Sequence, residues 1–398
     1  MELRLPLLLD GDITGFLRRG GMPPDRCEQR WMLRHPNLLV EGQAAFVAAG
    51  ADLLCAPTYD LNVLRAARWE LAESAELCGL LMELTAESAE GRVLAAGGIS
   101  ATGQHTEPFG AIPFRDMLDT FAEQALALRD GGAQLLLISG IPTLAEARAA
   151  VLGARQARLP LLVSLRPGQG TDPLAALICL QELGIAAFGL DCERNTPELA
   201  ENLRRIAPYA KVPLIARMDA RFGDNEKQVL TAQAYANEHI LLLQAGAQVV
   251  GGGADVSPEH IAALRGVVSA FTAAERPAAK EDGLFSSDEG RVYTLREKCV
   301  LSHKIACEVD MARTILDAED SGCQALLFHI AERKDPYLLS QNAYKAATAA
   351  CLLAESEELL EEALILHNGR ALISGRSNVR RETMEELAKG YGALILDS

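Results

Sequence analysis

At the points where short apolar runs give way to loops, the sequence sets out groups that could do chemistry. Asp10-Gly11-Asp12 follow Leu5–Leu9, and Pro57-Thr58-Tyr59-Asp60 follow Asp52–Ala56. Ser139-Gly140 close another run, Arg166 the next, then Asp191-Cys192-Glu193, Arg217-Met218-Asp219 and finally Gly251–Asp255. Carboxylates so placed can hold an amine or carry a proton. A thiolate is a nucleophile and a soft metal ligand. A zinc site takes three or four such ligands. Only Cys192 and Asp255 offer themselves here, and no His-x-His or Cys-x-x-Cys pair stands ready to complete them. Cys192 also fits a plain buried thiol, the commoner fate of a strand-end cysteine.

Elements that could hold these groups follow from the hydrophobic rhythm. Strands are expected at Leu5–Leu9, Asp52–Ala56, Arg92–Ala96, Leu135–Ile138, Leu161–Leu165, Ala187–Leu190, Pro213–Ala216 and Gln248–Val250. Amphipathic stretches between them predict helices, among them Phe114–Asp130, Thr143–Ala157, Pro173–Leu183, Pro197–Ile206 and Pro258–Ala274. Thr143, Thr196-Pro197 and Ser257-Pro258-Glu259 carry helix-start signals. Strand–helix alternation implies parallel pairing with helical crossovers. Eight such units over about 270 residues fit a (β/α)₈ barrel, whose chemistry lies at the C-terminal strand ends. An open doubly wound sheet competes, but no G-x-G-x-x-G follows the first strand.

Composition sets the surroundings. A chain of 398 residues that is 49% hydrophobic can bury one large core and a second, smaller one. A net charge of −16 argues against nonspecific nucleic-acid binding, which relies on Lys and Arg against phosphate. No apolar run approaches the roughly 20 residues of a membrane span. MELRLPLLLDGD lacks a secretory pattern, so a cytoplasmic protein with reduced cysteines is expected.

Residues 1–275 are thus expected to form the barrel, and 276–300 a linker, because Ala273–Gly290 is polar and broken by Pro277 and Gly283. Residues 301–398 resume the rhythm on a smaller scale. Helices are expected at Asp310–Asp320, Glu357–His367 and Glu382–Lys389, and strands at Ala325–Ile330, Arg370–Ile373 and Ala393–Leu396. Three or four such units make half a barrel, whose open edge calls for a cover. Association into a homo-oligomer is one expected answer.

Five motifs, in order and each at a strand end, resemble the homocysteine S-methyltransferase family, which includes the N-terminal module of cobalamin-dependent methionine synthase. DGDITGFLRRGG resembles the family's DGAMGTxLxxxG, AGADLLCAPTYDLN its AGAD block, and GGISATGQHTEPFG its GDISPTG loop. GLDCERNTPEL resembles GxNCxxGPE, and VGGGADVSPEHI resembles GGCCGTTPEHI. The resemblance implies a (β/α)₈ barrel and, in active members, a zinc ion on three cysteines that binds the substrate thiol as a thiolate. Cys192 matches one ligand. Gly253 and Ala254 stand at the other two, with Asp255 beside them as the one speculative replacement. The expectation is therefore that zinc is not retained.

By the same resemblance, Asp10 contacts the substrate amine or else caps its own loop. Thr58 and Tyr59 line the mouth, with packing the simpler role for Tyr59. Ser139-Gly140 stand where the family has Glu-Thr, the glutamate reaching the substrate amine; Gln43 stands at a histidine position, and Asp219 falls in an altered PNAG run. With Asp191, these residues form the expected substrate site. ARTILDAEDSGCQALLFHI and SEELLEEALILHNGRALISGRS resemble part of a pterin-binding barrel, with His329, Leu327, Leu353 and Ser374 at altered polar positions. No D-x-H-x-x-G cobalamin motif occurs, and His105 belongs to a barrel loop. Two functions follow from the resemblance. One is methyl transfer to a homocysteine-type thiol, with a corrinoid or folate protein as partner. The other is an inactive homologue that binds or assembles.

Overall fold

The computed structural model describes residues 5–23, 27–166, 170–193, 195–221, 228–271, 279–280, 284–295 and 299–397. Eight parallel strands form the first sheet: β1 (Leu7–Leu8), β2 (Leu53–Cys55), β3 (Leu94–Ser100), β4 (Leu135–Ile141), β5 (Leu161–Leu165), β6 (Ala187–Cys192), β7 (Leu214–Met218) and β8 (Ala247–Gly251). β1 pairs with β8 through Leu7–Val249 and Leu8–Val250, and a single bridge from Leu9 to Leu53 closes the ring onto β2.

Side-chain alternation gives the barrel two cores. In β4, Leu135 and Leu137 point inward to join Leu7, Leu9, Leu53, Leu162, Ile215 and Val249. Leu136 and Ile138 face the helices. Strands buried on both faces need near-continuous apolar runs, which is why they stand out in the sequence. Each such side chain contributes about 1.5–3 kcal/mol on full burial.

Helices start where their caps direct. Thr143 Oγ1 accepts from Glu146 N at 3.2 Å, and Asn195 Oδ1, one residue ahead of the expected signal, accepts from Glu198 N at 3.1 Å. Ser257 caps Pro258–Ala270 and its amide donates to His260 Nδ1 at 3.1 Å.

The segment expected as a linker holds an antiparallel hairpin, β9 (Leu284–Ser287) and β10 (Val292–Leu295). Its strands are only four residues each, too short for an alternation to be read. The second sheet is parallel and runs in chain order: β11 (Leu301–Ala306), β12 (Ala325–Ile330), β13 (Ala349–Ala354), β14 (Leu372–Ser374) and β15 (Leu394–Leu396). One face packs on the helices through Ile305, Phe328, Leu352 and Ile373. On the other, Leu295 of the hairpin joins Leu327, Cys351 and Leu372, so the hairpin covers part of the half-barrel face.

Arg148, on the barrel helix Leu144–Ala154, fixes the two units together. Its guanidinium is buried and donates to the carbonyls of Leu364 at 3.0 Å, Ile365 at 3.3 Å and His367. These carbonyls lie at the C-terminus of helix Glu357–Leu366, where a cation is favoured. Arg155 adds a bond to Gly390 O at 2.5 Å.

Candidate active site

A cavity of about 280 Å³ opens at the C-terminal end of the barrel. Asp10, Tyr59, Ser139, Asp191 and Asp219 all line it, as the sequence suggested, and Cys55, Arg166 and Arg217 join them. Thr58 does not: it is wholly buried and its hydroxyl donates to Gly98 O at 2.7 Å, tying the loop after β2 to β3. Its expected place at the mouth is corrected accordingly.

Asp10 leaves β1 with its carboxylate under the mouth, accepting from Cys55 N at 2.8 Å. Burial pushes it up from 3.8 to about 7, against the opposing pull of that amide and of Arg217. Cys55 lies 3.0 Å from the Tyr59 hydroxyl, and burial, with Asp10 nearby, pushes its thiol up to about 12. It is a packing thiol, not a nucleophile. Tyr59 is likewise pushed well above its ordinary value by burial.

Arg217 is the centre of the charge arrangement. It sits in the otherwise apolar run of β7 and pairs with Asp191 on β6 at 3.2 Å. Asp191 also accepts from Gly140 N at 2.7 Å and from the Ser164 hydroxyl at 2.5 Å. Burial alone would lower the Arg217 guanidinium, but Asp191 and the other acidic groups around it hold it above its ordinary value. Arg166 reaches Glu193 at 2.6 Å and Asp219 at 3.5 Å. Both Arg166 and Arg217 keep Nε–H groups buried with no hydrogen-bond partner among the described residues. Burial raises Asp219 too, partly offset by Arg166 and by the Ala254 amide, which donates to it at 2.8 Å.

The three-thiolate zinc site implied by the resemblance does not fit these residues. A Cβ added at Gly253 would lie 2.4 Å from Met218 O and 2.7 Å from Asp219 Oδ1, on a backbone with φ of 125°. In this loop conformation no cysteine can stand there, and the carboxylate of Asp219 fills the adjoining space. Cys192 is half-buried at the end of β6, and its sulfur accepts from Asn195 N at 3.1 Å. Asp255 lies beyond the mouth lining in a left-handed conformation, paired with Arg19 at 3.3 Å and with Arg221. Among the described residues, no group of three or more His, Cys, Asp or Glu side chains could hold a metal.

In the second unit His329 pairs with Glu355 at 2.6 Å, and the Ser374 hydroxyl, wholly buried, accepts from Arg376 N. Leu327 packs inside the half-barrel with Leu353 against it. Gln43 is also buried, donating to Thr85 at 2.8 Å. Sequence reasoning placed Arg166 and Arg217 at strand ends but gave neither a role. The signal was present in Leu214-Ile215-Ala216-Arg217-Met218, a buried-strand pattern broken by a cation that must find a partner inside.

Comparison with known proteins agrees with this architecture. The homocysteine S-methyltransferase family model matches residues 7–268. Methionine synthase of Mycobacterium leprae is 24% identical over 288 residues, covering 65% of this chain and 23% of that protein. Methionine synthase of Mycobacterium tuberculosis is 24% identical over 280 residues, with 63% and 23% covered. The chain thus spans under a quarter of the length of these relatives. Among solved structures, the metallated homocysteine methyltransferase MmuM from Escherichia coli superposes with a TM-score of 0.54 at 22% identity, covering 65% of this chain and 95% of that one. Its oxidized form gives a TM-score of 0.56. No described helix is long and apolar enough to cross a membrane. With the matched region spanning every strand of the barrel, this chain belongs to the homocysteine S-methyltransferase family.

Proposed function

We propose that the barrel mouth binds a homocysteine-type amino-acid thiol and supports methyl transfer to its sulfur without a three-thiolate metal site. One observation carries this reading. Arg217, largely buried, and Arg166, partly exposed, each keep a buried Nε–H with no partner among the described residues, and they share a mouth with the buried carboxylate Asp10. Arginine donors of this kind suit a carboxylate, and Asp10 suits an ammonium, so the pair recognises the two ends of an amino acid.

Asp219 then takes the thiol proton. It adjoins Gly253, the position at which the resemblance puts a cysteine, and burial favours its protonated form. As the S–H proton passes to Asp219, the sulfur lone pair forms the S–CH₃ bond and the bond from methyl to donor breaks. A corrinoid- or folate-bearing partner protein supplies the methyl group, in line with the expectation from the resemblance and with the relatives named methionine synthase.

Calorimetry with homocysteine, together with assays of methionine formation from methylcobalamin and from 5-methyltetrahydrofolate, tests the proposal. Arg217→Met is expected to abolish binding, whereas Asp219→Asn keeps binding and loses turnover. Homocysteine binding without turnover by any donor supports the second reading, a binding protein on this scaffold. The crowded Gly253 position and the engaged Asp255 favour that alternative. Absence of homocysteine binding overturns both.

A further inference from the structure

A second and larger cavity, about 450 Å³, lies at the seam between the barrel and the half-barrel unit and shares no lining residue with the mouth. The barrel contributes the loop carrying His105 and Phe109 and the start of helix Leu144–Ala154. The hairpin contributes Ser286, Tyr293 and the turn Asp288–Arg291, and the half-barrel unit Phe328, Ser340, Tyr344, His367 and Asn368. Small-ligand pockets fall in this size range and favour boundaries between units.

Three observations indicate what it would take. First, its wall carries unsatisfied polar atoms. His367 is only 8% exposed, and its Nδ1 has no partner among the described residues; the same holds for Oδ1 of Asn368. Buried polar atoms are nearly always paired, so two neighbours left open on one cavity wall imply a missing partner. Second, aromatic rings surround the space. Phe109 and Tyr344 remain 64% and 55% exposed, yet meet edge to face at 5.3 Å across the two units, and Tyr293 and Phe328 line the interior. Third, the helix N-terminus on this wall already holds an anion. Glu289 accepts from the Leu144 and Ala145 amides at the start of helix Leu144–Ala154, and Asp288 stands beside it. Arg291, the one arginine among the described lining residues, donates to Ala346 O at 3.3 Å.

We infer that the seam cavity binds an uncharged, planar nitrogen heteroaromatic of nucleobase or nucleoside size. Its ring lies among the aromatic side chains and its polar edge meets Asn368 Oδ1 and His367 Nδ1. An acceptor on Asn368 and a neutral ring nitrogen on His367 match the amino and ring-nitrogen groups of such a molecule. The carboxylates of Asp288 and Glu289 select against its phosphorylated form.

Ligand-observed NMR and calorimetry on the full chain, with indole, adenine, adenosine and AMP as probes, test this inference. Adenine or adenosine is expected to bind at least tenfold more tightly than AMP, with indole weaker for want of the polar edge. Ser340→Phe, which fills the space, should abolish binding. Asn368→Leu should weaken adenine at least tenfold while leaving indole unchanged, and circular dichroism confirms that each variant is folded. If no probe binds at millimolar concentration, if AMP binds as well as adenosine, or if binding survives both substitutions, the inference fails. Homocysteine titration of the same variants separates the two sites, because neither substitution touches the barrel mouth.

Discussion

Asp10→Asn keeps the shape of the side chain and its acceptance of the Cys55 amide, and removes only the ability to carry charge. In the folded chain burial places the Asp10 carboxyl at about 7, against 3.8 when exposed. Below pH 3.8 both states are protonated and the group has no effect on stability. Between the two values the folded state holds a proton that the unfolded state has released, so stability falls as pH rises, and above pH 7 the loss is complete. The whole rise corresponds to about 4 kcal/mol, and the portion between pH 5 and pH 7 to about 3 kcal/mol. Urea unfolding of wild type and Asp10→Asn at pH 5 and pH 8 measures it. Asp219 and Glu146, also raised by burial, remain in both proteins and cancel in the difference. The variant is expected to gain about 3 kcal/mol on wild type between the two pH values. Parallel pH profiles would show that Asp10 is solvated in the fold and that its place under the mouth has been misjudged.

Arg217→Met strands Asp191 in the barrel, and urea unfolding should show a loss of about 3 kcal/mol, the low end for a broken buried pair, since Gly140 N and the Ser164 hydroxyl still hold the carboxylate. Gly253→Cys should destabilise by about 1–3 kcal/mol from backbone strain and crowding at Met218 O, and metal analysis of the purified Gly253→Cys, Ala254→Cys double variant should find no stoichiometric zinc. Arg148→Met leaves the end of helix Glu357–Leu366 without its cation; a loss of about 3 kcal/mol and faster proteolysis at the seam are expected, read by urea unfolding and limited digestion. A loss well under about 1 kcal/mol would place Arg148 at a wet, weakly held boundary.

The barrel was legible in the sequence because its strands are buried on both faces. Leu161–Leu165 and Phe114–Asp130 matched residue for residue, since a continuous apolar run and a long amphipathic period leave little choice of register. The half-barrel was read less fully. Ala325–Ile330 was found, but β11 and β13 were not: Leu301-Ser-His-Lys-Ile-Ala carries an exposed edge with mixed polarity, and Ala349-Ala-Cys-Leu-Leu-Ala has an alanine content that suits a helix equally well. Only the pairing of β13 between β12 and β14 makes it a strand. That choice belongs to tertiary context.

At the mouth, position was legible and partnership was not. Strand ends named Asp10, Asp191 and Asp219 because a carboxylate at the end of a buried strand is conspicuous. Nothing local says that Asp191 answers Arg217 one strand away, or that Asp219 closes against the loop of Gly253 on β8's far side. Charge in a barrel mouth is tolerated only as a set: Arg217 and Asp191 balance each other's charge, while Ser164 and Gly140 satisfy the carboxylate oxygens in a low-dielectric space. A cysteine returned to position 253 meets Met218 O and the Asp219 carboxylate before it could meet a metal, so restoring a single ligand does not restore the site.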